Sequence, residues 1–204
     1  MKRLFDVLVS AAGLMLLSPF LLLLSIAIKL DSPGPVFYRG IRVGRHGKPF
    51  KIYKFRSMVT EAETIGSAST SNEDSRITRT GKIIRILKFD EFSQLINVVI
   101  GDMSLVGPRP QVQWAVDTFT DEQRKVLVLR PGITDWASIR FHNEGEIIAQ
   151  SGIDDPDEAY MKLIHPEKML LQQKYLKEQS FFVDLSIILK TLSTLFINRI
   201  ATKH

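Results

Sequence analysis

The chain has 204 residues, 45% of them hydrophobic, with a formal net charge of +5 and no cysteine. That apolar content excludes a disordered chain and suffices for one domain with a core plus an appendage; the missing cysteines exclude disulfides, thiolate chemistry and cysteine-ligated zinc. The positive balance points to an anionic partner, whether nucleic acid, acidic lipid headgroups or a phosphorylated substrate, without choosing among them.

Val7 to Ile28 carries no charge over twenty-two residues, about 33 Å as a helix and enough to cross a hydrocarbon core. The chain is therefore read as a membrane protein. A cleaved signal peptide fits poorly, because the run is too long and basic sequence follows it. Ser18-Pro19 falls in mid-run, where proline removes a donor and crowds the carbonyl of Met15, although spanning helices tolerate such kinks. Lys2 and Arg3 precede the run, and Lys29, Arg39, Arg42 and Arg45 follow it. The positive-inside rule is most easily met if both ends stay cytoplasmic, with a re-entrant helix broken at Ser18-Pro19. On these grounds alone, re-entrant and spanning helices are equally open.

After a turn-rich junction, Asp31 to Pro35, the segments Val36 to Arg39, Ile41 to Arg45 and Phe50 to Arg56 read as short strands around a Gly-rich hairpin. The last of them would set Lys51, Lys54 and Arg56 along one edge. Gly40, Gly44 and Gly47 do not make a P-loop, since Lys48 is followed by proline and no helix begins there. Thr60 to Ser75 is polar and aperiodic, a surface loop able to act as a flap. Gly81 to Phe89 places Lys82, Arg85 and Lys88 on one helical face, either solvated or in contact with phosphate.

From Asp90 to Pro110 the chain joins an acidic pair, an apolar-periodic helix and a proline-clamped arginine. Phe92, Leu95, Ile96 and Val99 predict an amphipathic helix that stops at Gly101. Asp90 and Glu91 then lie at its N-terminus, where the helix dipole keeps carboxylates ionised and welcomes a metal-bound phosphate. Gly107-Pro-Arg-Pro110 fixes the backbone around Arg109, suiting its guanidinium to bidentate phosphate binding. One carboxylate could attack phosphorus while its neighbour holds Mg²⁺, with Lys54, Arg85, Arg109 and Arg130 balancing the remaining charge. Helix capping by an acidic pair is the bland alternative.

Arg130 to Trp136 reads as a tight turn with an aromatic platform, and Asp154 to Glu158 as an acidic helix start. Phe181 to Ile197 sets Phe181, Leu185, Ile188, Leu192 and Leu195 on one stripe, packed on the core or lying in a membrane interface. The four histidines show no metal-ligand spacing, and no Gly-x-Ser-x-Gly elbow supports a serine hydrolase.

Basic-Leu-Phe-Asp6, Ser18-Pro19, Phe50 to Met58, Asp90-Glu91 through Gly-Pro-Arg-Pro110 and Arg130-Pro-Gly-Ile-Thr134 together resemble the bacterial sugar transferases, the monotopic phosphoglycosyl transferases that begin glycoconjugate assembly on a polyprenol carrier. The resemblance covers essentially the whole chain, in the small form without an additional multi-span domain. It implies transfer of a phospho-sugar from a UDP-sugar to undecaprenyl phosphate, releasing UMP, with Mg²⁺ and a covalent aspartyl intermediate. Carried over, Asp90 is the nucleophile, Glu91 the metal ligand with Asp90 beside it, and Lys54 and Arg109 are active-site cations. It also implies the re-entrant form of the membrane helix, broken at Ser18-Pro19.

Two departures stand out. Asp135 replaces a usual glycine before Trp136, and Gln172 falls where the family often has an aspartate. Both are candidates for the nucleotide or sugar pocket.

The expected architecture is mixed α+β and mainly helical, with a membrane helix over 1–30, a short β-hairpin, amphipathic interfacial helices and a catalytic domain over 31–204. It would sit at the cytoplasmic face of the bacterial inner membrane, its partners the lipid bilayer, both substrates and downstream glycosyltransferases. Two rivals are a non-enzymatic membrane adaptor with a basic lipid-binding surface and a membrane-tethered nucleic-acid binder, for which no recognition motif is visible.

Overall fold

The computed structural model describes residues 1–62 and 74–201, with side chains to residue 194. Most of the loop expected over Thr60 to Ser75 lies outside them. Helix α1 (Lys2–Asp31) is, among the described residues, the one helix long and apolar enough to cross a membrane. Helical conformation continues through Ser18-Pro19, where the sequence predicts a break. Pro19 lacks the N–H that would bond the Met15 carbonyl; the Ser18 hydroxyl donates to that carbonyl instead, at 2.8 Å. The orphaned acceptor is thus satisfied without water, as an apolar medium requires.

Helix α1 packs antiparallel to the chain between Thr80 and Met103. Arg3 donates to the carbonyls of Val99 and Met103, and Phe20 meets Phe89 edge-on at 4.8 Å. Ile28 is buried with Phe55 and Ile84, and Asp31 accepts from the Thr80 N–H at 2.8 Å. Both ends of α1 are therefore anchored in the same folded unit.

The predicted hairpin is present, but the segment Phe50 to Arg56, expected as one strand, divides into two strands in separate sheets. β2 (Ile41–Val43) and β3 (Pro49–Lys51) form an antiparallel hairpin around Gly44 to Lys48, and β1 (Phe37–Tyr38) pairs antiparallel with β4 (Lys54–Phe55). The cations of the last segment do not share an edge, because Arg56 turns inward and donates to the carbonyls of Ser32 and Pro33.

Helix α2 (Arg79–Ile86) is capped by the Thr78 hydroxyl. Lys88 lies beyond it in a left-handed conformation, so it does not extend the basic face of Lys82 and Arg85. A 3₁₀ turn (Phe89–Glu91) and helix α3 (Gln94–Ile100) follow, and Gly101 ends α3 at φ 107°, the conformation in which glycine carries no Cβ penalty. The acidic pair thus sits in the turn before the helix. The buried face of α3 is Gln94, Asn97 and Val98, while the apolar stripe is only partly covered, with Leu95 against α1 at Gly13.

Parallel pairing of β5 (Ser104–Val106) with β6 (Gly132–Thr134) replaces the tight turn expected over Arg130 to Trp136. The pairing escapes the sequence because its partners are separated by short helices, α4 (Gln113–Asp117) and α5 (Asp121–Arg124). Helices α6 (Trp136–Arg140), α7 (Glu144–Ala149), α8 (Pro156–Leu163), α9 (His165–Glu178) and α10 (Phe181–Ala201) complete the chain. Asp155 caps α8, as its acidic start predicts. Among the described side chains of α10 the buried ones are Asp184 and Ile187, whereas Phe181, Leu185 and Leu192 of the expected stripe are exposed. The side chain of Leu195 lies outside the described residues.

Candidate active site

The site begins with how Lys54 is delivered. The N–H of Tyr53 donates to Asn97 Oδ1 at 2.8 Å, and the Tyr53 carbonyl accepts from the Ser93 hydroxyl at 3.1 Å. Asn97 also donates to the Lys51 carbonyl at 2.9 Å, and Ser93 to the Asp90 carbonyl at 3.1 Å. Two buried polar side chains of the 93–97 segment thereby replace a strand partner and stitch the hairpin to the acidic turn. Residue 54 consequently projects at that turn. The sequence reading missed Ser93 and Asn97; the available signal is a polar residue on the face of α3 that packing must bury.

Lys54 Nζ lies 3.3 Å from Asp90 Oδ2 and 3.5 Å from Glu91 Oε1, while an Arg109 guanidinium nitrogen lies 2.5 Å from the same Glu91 oxygen. Glu91 takes two ion pairs and Asp90 one. Burial acts to raise the Glu91 carboxyl, but Arg109 and Lys54 outweigh it and hold the group well below the usual carboxylate range. The charge of Glu91 in turn raises the Arg109 guanidinium further, against burial. Pro108 and Pro110 limit the backbone on either side of Arg109.

Other expected site residues divide. Burial pulls the Arg85 guanidinium down, opposed by the charges of Asp90 and Asp74. Asp135 and Gln172 lie behind Arg109. Asp135 Oδ2 accepts from the Arg109 N–H at 3.2 Å and from Gln172 Nε2 at 3.1 Å. Trp136 instead packs with Val106, Tyr175 and Ile187 and carries Lys190 over its ring at 4.8 Å. Arg130 is elsewhere too: it donates to the Gly101 carbonyl at 3.2 Å and lines a cavity of about 290 Å³ with Arg3 and Arg45. Together with Arg3 it satisfies carbonyls at the C-terminus of α3, where cations are favoured. A further pair sits near Arg109: Lys168, 4% exposed, donates to Glu144 at 3.2 Å and lies 4.8 Å over the Tyr160 ring. Its members are far apart in sequence, and no local pattern announces them.

The acidic pair suits a magnesium ion. Among the described residues no three acidic or histidine side chains converge into a metal cage. Mg²⁺ asks for less, commonly one or two carboxylates with phosphate oxygens and water completing its shell. Glu91 and Asp90 are the carboxylates of this turn that could enter such a shell.

The model of the family described as bacterial sugar transferase matches residues 1–198. The UDP-N-acetylgalactosamine-undecaprenyl-phosphate N-acetylgalactosaminephosphotransferase of Aeromonas hydrophila is 38% identical over 197 residues, covering 95% of this chain and 43% of the relative. An uncharacterized sugar transferase, EpsL, of Bacillus subtilis is 36% identical over 199 residues, 97% of this chain and 88% of the relative. The UDP-glucose:undecaprenyl-phosphate glucose-1-phosphate transferase of Escherichia coli is 35% identical over 210 residues, with 98% and 41% covered. The chain thus spans less than half the length of the Aeromonas and Escherichia relatives and most of the Bacillus one. The matched range includes the apolar helix, the Lys54 hairpin, the acidic turn and the Arg109 loop, and by it the chain belongs to the bacterial sugar transferase family.

Proposed function

We propose that this chain transfers a sugar phosphate from a UDP-sugar to undecaprenyl phosphate, with Asp90 as nucleophile. The observation that carries the reading is the unequal engagement of the acidic pair. Among the described residues Glu91 forms ion pairs with both Arg109 and Lys54, whereas Asp90 forms one, with Lys54 at 3.3 Å. In the first step an Asp90 oxygen bonds to the sugar-bearing phosphorus, and the bond from that phosphorus to the bridging oxygen breaks, so UMP leaves with the oxygen and its electron pair. In the second, a phosphate oxygen of undecaprenyl phosphate attacks the same phosphorus, the bond to Asp90 breaks, and the carboxylate is regenerated. No proton changes hands, so no general base is required. Lys54, Arg85 and Arg109 orient the diphosphate and offset its charge. Mg²⁺, held by Glu91 and Asp90, would supply further neutralisation of that diphosphate.

Membrane placement follows from exposed apolar surface on mutually packed elements. Leu4, Leu8, Leu16 and Leu23 of α1, Ile83 and Ile86 of α2, Ile100 of α3 and Phe182 and Leu189 of α10 are exposed. Helix α1 touches α10 through Phe5 and Phe181, ring centroids 5.4 Å apart. Such a surface favours a bilayer over water. Because both ends of α1 bind the same folded unit, we read residues 1–30 as re-entrant, with residues 31–204 at the cytoplasmic face of the bacterial inner membrane. The resulting product, an undecaprenyl diphosphate sugar, suits a downstream glycosyltransferase.

The test is UMP release from a panel of UDP-sugars by detergent-purified protein with undecaprenyl phosphate and Mg²⁺. Asp90→Asn should lower turnover at least about 1,000-fold without altering membrane insertion, and intact-mass analysis of wild type without acceptor should show a phospho-sugar adduct. Full activity in Asp90→Asn would overturn the assignment.

A further inference from the structure

Asp135 is 1% exposed, as is Gln172. Its hydrogen-bond donors are all neutral: the Ser138 N–H on Oδ1 at 2.6 Å, and the Arg109 N–H and Gln172 Nε2 on Oδ2 at 3.2 and 3.1 Å. A buried carboxylate without a bonded cation is costly, and capping α6 does not require one, since Asn or Ser caps as well. What a carboxylate does here that an amide cannot is accept on both oxygens at once. One oxygen closes the start of α6; the other accepts from both Gln172 and the Arg109 main chain.

We propose that Asp135, with Gln172 oriented against it, is the positioning residue that aims Arg109 at Glu91 and at the diphosphate of the donor. The proposal rests on the phosphate-binding role given to Arg109 above. Pro108 and Pro110 restrict the Arg109 backbone torsions, and main-chain bonds hold the loop on either side of Arg109: the Gly107 N–H donates to the Thr134 carbonyl at 3.1 Å, the Gly132 N–H to the Pro108 carbonyl at 3.0 Å and the Val43 N–H to the Gln111 carbonyl at 2.9 Å. Asp135 adds the bond to the N–H of Arg109 itself, and it is fixed in turn by its cap on α6 and by Gln172 on α9. The carboxylate also places a negative charge behind Arg109, which favours the guanidinium.

An isosteric exchange tests this. Asp135→Asn keeps an oxygen for the α6 cap but turns an NH₂ group towards the Arg109 N–H, donor against donor. Gln172→Glu alone sets a second buried carboxylate against Asp135. The double variant Asp135→Asn/Gln172→Glu has one carboxylate and one amide, with wild-type charge and volume. UMP release is measured against UDP-sugar concentration, alongside amide hydrogen exchange over residues 107–111 and melting temperature in detergent. Asp135→Asn should lower kcat/KM about tenfold or more and speed exchange at 107–111; the double variant, whose new amide at position 135 donates to the new carboxylate at position 172 but still faces the Arg109 N–H, should recover melting temperature and neither kcat/KM nor exchange protection. Wild-type kcat/KM with unchanged exchange in Asp135→Asn would overturn the proposal. So would a double variant in which kcat/KM and exchange protection return together with melting temperature. If Asp135→Asn does not fold, the double variant against wild type decides by the same two readouts. Wild-type protein that releases UMP from no donor would defeat the reaction assigned above, and the exchange at 107–111 would still decide whether Asp135 holds the loop.

Discussion

Glu91 and Arg109 meet at 2.5 Å across 18 residues of sequence, and the same Glu91 oxygen receives Lys54 at 3.5 Å. Two cations converging on one carboxylate leave little freedom for any of the three. Glu91→Gln removes the charge while keeping the shape, stranding two partly buried cations that now repel each other. Breaking such a cluster costs on the order of 2 kcal/mol once its partial solvent access is allowed for. Turnover should fall about 100-fold or more, with a lower melting temperature. Wild-type activity in this variant would show that Arg109 and Lys54 are held by other means.

The Glu144–Lys168 pair sets a pH window for stability. Burial acts to raise the Glu144 carboxyl, but Lys168 and Arg109 hold it down; burial acts to lower the Lys168 ammonium, but Glu144 and then Tyr160 raise it. A depressed acid stabilises above its unfolded pKa and loses that contribution as pH falls through the folded value; a raised base stabilises below its unfolded pKa and loses it as pH rises. The difference in melting temperature between wild type and Glu144→Gln should therefore hold steady from about pH 5 to pH 9 and shrink beyond either end. A difference that instead peaks near pH 6.5 would point to His165, whose ring burial and the nearby Lys168 hold it below its ordinary value.

The Arg109 loop also depends on two glycines without side chains to accommodate. A Cβ on Gly132 would stand 2.1 Å from the Gly107 nitrogen, and one on Gly107 2.4 Å from the Arg130 carbonyl oxygen. These are backbone clashes, which no rotamer relieves. Gly132→Ala should push β5 from β6 two residues before Arg109, costing about 2 kcal/mol or more and reducing UMP release beyond what the lost folded fraction explains. Activity that tracks folded fraction alone would separate the β5–β6 contact from the site.

Much of the chemistry was legible because it lies in contiguous sequence. Asp90, Glu91 and the proline-clamped Arg109 share one segment; Lys54 is one of the cations of the 50–56 segment, although Arg56, expected on the same edge, turns inward. What stayed hidden is contact between distant segments. Arg130 carries the same guanidinium as Arg109, yet strand pairing points it at the Gly101 carbonyl. Asp135 and Gln172 attracted notice as two separate departures from a pattern, and only the packing of α6 on α9 puts them 3.1 Å apart. Apolar periodicity finds the helices α3 and α10 but not their buried faces, and for α10 it leaves core and membrane interface open: where a protein buries polar stitches such as Asn97 and Asp184, the hydrophobic stripe is not the core face.

Asp184 is the clearest of those stitches and yields the last prediction. Its carboxylate receives Lys2 Nζ at 2.5 Å and the Tyr175 hydroxyl at 2.6 Å, while both donors also reach the Val106 carbonyl, at 3.1 and 3.3 Å. One buried acid in an apolar helix thus ties α1, β5, α9 and α10 together. Asp184→Ala leaves the Tyr175 hydroxyl short of a partner in the core, at a cost of about 2 kcal/mol, whereas Lys2, 40% exposed, can turn to solvent. Adding Tyr175→Phe removes the stranded hydroxyl, so the double variant should melt higher than the sum of the single losses predicts, by about 1 kcal/mol or more. Strict additivity would mean the hydroxyl keeps the Val106 carbonyl as a sufficient acceptor. Since the knot joins the start of α1 to the C-terminal helix, away from the acidic turn, turnover at a temperature where both variants remain folded should stay within about twofold of wild type. A larger loss would show that the anchoring of α1 reaches the site through α3, which α1 flanks and whose Asn97 holds Tyr53, and with it Lys54, in place.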